Sequence, residues 1–97
     1  MATTTTTLTF PTIHLNGSSA NKLIEDYSDV HHALFVAFEK MGAAGPNGRD
    51  YYPQGDEAIH KATQEHASRL ERLRDINLEL RAIIENIQEQ QDARARR

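Results

Sequence analysis

The chain has 97 residues, 38% of them hydrophobic and 6% aromatic, with a formal net charge of −3 and no cysteine. That length suits a single domain, the charge gives no general attraction for nucleic acid or an anionic membrane, and the lack of cysteine excludes disulfides, thiolate metal sites and cysteine nucleophiles. A core drawn from so few apolar residues is thin, and small chains with thin cores commonly gain stability by oligomerising.

The first segment, residues 1–7, carries five consecutive threonines and reads as a disordered arm, because it cannot bury enough apolar surface to offset its ordering entropy. Residues 8–17 read as an extended strap. Leu8 and Phe10, then Ile13 and Leu15 after Pro11, follow the period-two pattern of extended chain, and Pro11 confines it to an edge. No apolar run approaches the ~20 residues of a membrane span, and Met1–Pro11 lacks the charged and apolar regions of a signal peptide. The expected location is the cytoplasm.

Residues 18–93 read as a helical hairpin. Ser18 or Ser19 offers an N-cap hydroxyl, and Ala20, Leu23, Ile24, Tyr27, Val30, Leu34, Phe38 and Met41 then recur at the steps of one helix face. Gly42 is the expected end. A second, longer helix starts near Asp56, the expected cap, and carries Ile59, Ala62, His66, Leu70, Leu73, Ile76, Leu80, Ile83, Ile84 and Ile87 on its stripe to about Gln91. Glu57–Lys61 and Glu65–Arg69 are spaced for ion pairs on the solvated side. The second helix exceeds the first by about 20 Å, and the apolar overhang is expected at Leu80, Ile83, Ile84 and Ile87, covered by the strap and by a second copy of the chain. Phe35 and Leu78 fall outside both stripes and widen the surface available for self-association. The fold class is therefore all-α, an antiparallel hairpin with a long C-terminal helix, and oligomeric.

The connector Gly42–Gly55 is longer than most helix–helix links and concentrates unusual residues. Asn47 and Gly48 belong to a turn in which the backbone lies open. Arg49 offers a planar fork for phosphate or carboxylate, while Tyr51 and Tyr52 offer faces on which a base could stack. The plainer alternative is that Arg49 pairs with Asp50 or a helix carboxylate and one tyrosine plugs the hairpin end. A second candidate, Asn16, Gly17, Ser18, Ser19 and Lys22, combines amides, hydroxyls and an ammonium at a helix start, although simple N-capping also accounts for it. The two lie at opposite ends of one hairpin, so they meet only if an antiparallel oligomer brings them together.

Other chemistry is weakly encoded. His31 and His32 diverge on a helix, and His60 and His66 are six apart, outside the spacing of a helical metal pair. Only cross-helix pairing of His31 with His60 or His66 would bring two together. His66, on the apolar stripe, is expected to be a hydrogen-bonded core residue. No metal, cofactor or catalytic group is expected, because nothing matches a nucleophile elbow and the carboxylates lie on solvated faces. Arg94, Arg96 and Arg97 form a basic tail at 94–97 that complements the helix dipole, and its lack of aromatic neighbours makes a nucleic-acid partner a poor match.

"TIHLNGSS" and "PNGRDYYPQG", followed by "EHASRLERL", resemble a group of small bacteriophage and prophage proteins over roughly Thr12 to Ile87. In size and hairpin build the chain is also similar to phage anti-defence proteins that oligomerise and sequester cyclic-nucleotide immune signals. That resemblance implies a non-enzymatic, homo-oligomeric protein of the host cytoplasm that binds a small phosphorylated or nucleotide-like ligand. A different class, a coiled-coil adaptor or structural protein docking a protein partner, fits the same pattern. It would depend on the apolar isoleucines rather than on Arg49 and the tyrosines.

Overall fold

A computed structural model describes residues 8–96 of the chain; the expected threonine arm and Arg97 lie outside them. Two helices dominate, α1 at Ala20–Ala43 and α2 at Asp56–Ala95, with two short 3₁₀ turns between them at Gly48–Asp50 and Tyr52–Gln54. No strand occurs among the described residues.

Ser19 caps α1. Its backbone is extended and its hydroxyl accepts the Lys22 N–H at 3.1 Å, satisfying one of the donors that a helix start leaves open. The other end departs from expectation, since α1 continues through Gly42 to Ala43 and the Ala44 N–H bonds to the carbonyls of Lys40 and Met41. The stop comes instead from Pro46, which has no N–H to donate and disfavours helical backbone at Gly45. The start of α2 is a second correction. Gly55, at φ 112°, makes the sharp entry that an L side chain rarely tolerates, so Asp56 is already helical and, with Glu57, supplies negative charge to the first turn.

The helices run antiparallel, and two contacts fix their register. At one end Gln91 Nε2 donates to Asn21 Oδ1 at 2.9 Å. At the other, Gly45 lies so close to the imidazole of His66 that a Cβ added there would sit 3.7 Å from Nε2. Helix α1, 24 residues or about 36 Å long, therefore covers α2 from near His66 to Gln91. Helix α2 has 40 residues, about 60 Å, and sets the long dimension of a molecule of 65 × 25 × 20 Å.

This register overturns the expected place of the overhang. Leu80, Ile83, Ile84 and Ile87 lie within the paired region, and the part of α2 beyond the reach of α1 is its beginning, Asp56 to about Glu65. The expectation assumed a tight reversal at the connector. Instead the connector runs along the first turns of α2, with the Tyr52–Gln54 turn packed against it, which shifts α1 toward the far end.

Near that far end the preceding segment also meets α2. Gln90 accepts the Ile13 N–H at 2.9 Å and donates to the Pro11 carbonyl at 2.8 Å and to Asn86 Oδ1 at 2.8 Å. One turn away Ile87 is 0% exposed. The alternation expected of residues 8–15 is realised only at Leu8 and Ile13, which are half-buried, whereas Phe10 is 39% and Leu15 93% exposed. Packing elsewhere is sparse: the other buried apolar residues among those described are Ala20 and Ala62, and most of both stripes is only half-buried.

Large-to-small substitution should separate these environments. Ile87→Ala removes a fully enclosed side chain and is expected to cost about 2–5 kcal/mol, read from the urea midpoint at fixed protein concentration. Ile76, 47% exposed, should lose under ~1 kcal/mol on the same change.

Candidate functional site

A groove of about 630 Å³ runs along one face of the hairpin. Helix α1 contributes His31, Phe35 and Phe38, which share a face because they recur at steps of four and three. Across from them α2 contributes Leu73, Asn77 and Ile84 to the floor, with Arg74, Leu78, Arg81, Glu85 and Gln88 along the outer wall. Phe35 and Leu78 are each 50% exposed. Their neighbours are charged but loosely held, since Arg81 and Glu85 form one ion pair at 3.8 Å with both side chains more than 60% exposed, and Arg74 has no ion pair among the described residues.

Asn77 makes the floor unusual. Its Oδ1 is buried and accepts no hydrogen bond, a position that ordinarily costs ~1–3 kcal/mol. His66 has a similar deficit. The ring is buried as expected, but Nε2 has no partner, so the expected hydrogen-bonded core histidine is corrected in that respect. The register also places His31 opposite α2 residues near Arg81, more than four turns from His60 and His66, and cross-helix pairing of these histidines is not realised. Among the described residues no group of three or more histidine, aspartate or glutamate side chains is placed to hold a metal ion.

A shallower depression of about 390 Å³ lies at the start of α1. Gly17, Ser18 and Ser19 line it, together with Ile13, His14, Leu15, Ala20, Asn21, Gln91 and Arg94. The His14 ring lies over Gly17 so closely that a Cβ there would meet Nε2 at 2.8 Å. Of the expected polar set, Asn16 does not line the depression, Ser19 is engaged as the cap, and Lys22 is turned along its own helix. The Lys22 ammonium donates to both oxygens of Asp26 at 2.9 Å, and this hydrogen bond and charge raise its pKa above the usual 10.5.

The connector is built by its own backbone. Asn47 Oδ1 accepts the Arg49 N–H at 2.9 Å, and the amides of Asp50, Tyr51, Gln54 and Gly55 each bond to the carbonyl three residues earlier. Nothing crowds Gly48. Tyr51 is half-buried while Tyr52 is 73% exposed. The Arg49 guanidinium makes no ion pair with Asp50 or a helix carboxylate among the described residues, and neither Arg49, Tyr51 nor Tyr52 lines the groove or the depression. The ion pairs expected at Glu57–Lys61 and Glu65–Arg69 are likewise not formed.

Sequence reasoning thus singled out Phe35 and Leu78 but missed Asn77, Arg74, Arg81 and Glu85. Charged residues on a long helix give no sign of lining a groove until the register is known. No family model, curated protein or solved structure matches the chain.

The Lys22–Asp26 pair is directly testable. Lys22 should titrate above 10.5 by NMR, and Asp26→Asn should return it toward that value. Because the folded-state pKa is raised, the contribution of this pair is complete below pH 10.5 and fades as pH rises through the folded value; its exposure keeps that contribution small.

Proposed function

We propose that the chain is a non-catalytic helical-hairpin assembly module that works as a homo-oligomer, with its grooved face as the contact surface. The observation that carries this reading is the groove itself: half-exposed Phe35 and Leu78 sit over a partly covered apolar floor. Among the described residues only three apolar side chains are buried, so there is little core to stand on, and covering this face would bury more apolar surface at about 25 cal/mol per Å². The segment before α1, bonded through Pro11 and Ile13 to Gln90, acts in this reading as a strap over the opposite flank of α2. No helix of the described residues is long and apolar enough to cross a membrane.

A second reading is favoured by one observation, the exposure of Arg49 and Tyr52 with no side-chain hydrogen bond or ion pair among the described residues. In it the assembly sequesters a small phosphorylated or cyclic-nucleotide-like signal, with Arg49 pairing to phosphate and Tyr51 or Tyr52 stacking on a base. The depression at Gly17–Ser19 is separated from the connector by the length of α1, about 36 Å, so a joint site needs two chains.

Sedimentation velocity over a concentration series tests the first reading. Unaltered protein should sediment above the monomer mass at micromolar concentration, and Leu78→Lys should shift it toward monomer while helical content persists, because Leu78 is half-exposed in the single chain. A monomer at every concentration would overturn the reading. Arg49→Ala should leave assembly unchanged; for the second reading, the same substitution should abolish a thermal shift induced by nucleotides.

A further inference from the structure

We infer that the groove receives the same groove of a second copy, the two α2 helices running antiparallel about a two-fold axis that passes between Leu78 and Arg81. This rests on the reading of the chain as a self-associating module and specifies its partner face and geometry. The outer wall of the groove is a seam at near-heptad spacing, Arg74, Leu78, Arg81, Glu85 and Gln88, the repeat by which helices pack at a shallow angle.

Charge selects the direction. Arg74 lies as far before the midpoint of Leu78 and Arg81 as Glu85 lies after it, so antiparallel α2 helices set each Arg74 against Glu85 of the second copy, twice over. Running the same two helices in parallel would set Arg74 on Arg74, Arg81 on Arg81 and Glu85 on Glu85, which is unfavourable. Laying α2 across α1 of the second copy would leave the same charges facing Phe35 and Phe38. In the antiparallel pair the isologous surface closes on itself, and Phe35 falls within a turn of His31 of the second copy.

An independent observation fits the same register. Asn77 Oδ1 is buried in the groove without a donor. Arg81 of the second copy falls opposite Leu78, beside Asn77, where a turn of the Asn77 amide toward the groove brings Oδ1, covered in the single chain, within reach of its guanidinium. Arg81 is free to donate because its ion pair with Glu85 is long and exposed, and Glu85 is taken up by Arg74 of the second copy.

The register also has a consequence at the ends of the dimer. Gly45, beside His66 in its own chain, becomes level with Ala93 of the second copy. The turns carrying Arg49 and Tyr52 then extend just past the end of that copy's α2, where its residues 14–19 lie. Each end of the dimer therefore gathers the connector of one chain and the Gly17–Ser19 depression of the other.

Engineered cysteines test the arrangement cleanly, because the chain has none of its own. Positions 74 and 85 are about 16 Å apart along one helix, too far to bridge within a chain. Oxidised Arg74→Cys/Glu85→Cys protein should run as a covalent dimer, whereas either single variant should not. Without added cysteines, Arg74→Glu should raise the dimer dissociation constant roughly tenfold, and Arg74→Glu/Glu85→Arg should restore it. If unaltered protein is a monomer, the self-association reading itself fails. If it is a dimer in which the single cysteines cross-link, or in which neither they nor the double variant do, self-association stands and the antiparallel groove-to-groove geometry is overturned.

Discussion

The alignment of α1 on α2, held by Asn21 and Gln91 at one end and by Gly45 against His66 at the other, governs every other feature of the molecule. A hairpin whose arms differ in length can place the excess at either end of the longer arm. Here the connector takes up the excess, and the apolar residues at the end of α2 are drawn under α1. Had the reversal been tight, His66 and Ala62 would face α1 and the isoleucines would be bare. The groove depends on the same alignment, because His31, Phe35 and Phe38 meet Leu73, Asn77 and Ile84 only at this stagger.

Seen from that constraint, the composition of the connector has a physical explanation. Its length is needed because it must travel back along the opening turns of α2. Pro46 ends α1, Asn47 folds the chain into the first 3₁₀ turn, and Gly55 supplies the positive φ from which α2 begins. These roles account for the turn residues without any ligand. They do not account for Arg49 and Tyr52, whose side chains take no part in holding the connector together.

The helices were legible in the sequence because each long apolar stripe, one face at steps of three and four, has no competing reading over so many turns. Ser19 as a cap was also legible, since its hydroxyl acts within three residues. What the sequence left open was long-range. Gly42 was a plausible stop, yet a glycine permits an end without requiring one, whereas Pro46 four residues on enforces it. The burial of Ile87 and the exposure of Ile76 differ by packing alone, as both belong to the same stripe. The groove was half-legible, because Phe35 and Leu78 stand off their stripes, while the orphaned Asn77 depends on which neighbour fails to reach it.

One uninterrupted helix carries the pairing face, the groove wall and the segment that borders the connector, and this has a consequence for the lengths the chain can take. Inserting or deleting a single residue between His66 and Gln91 would turn everything beyond it by about 100°, moving Asn77 or Ile84 out of the groove and a charged neighbour in. A change of seven residues would nearly preserve the faces but would slide Gln91 off Asn21 by two turns. The connector is under no such rule: a residue added near Gly48, where nothing crowds the backbone, lengthens a surface path without rotating either helix. Natural length variation in chains of this architecture should therefore collect between Ala44 and Gly55, and α2 should change by substitution alone.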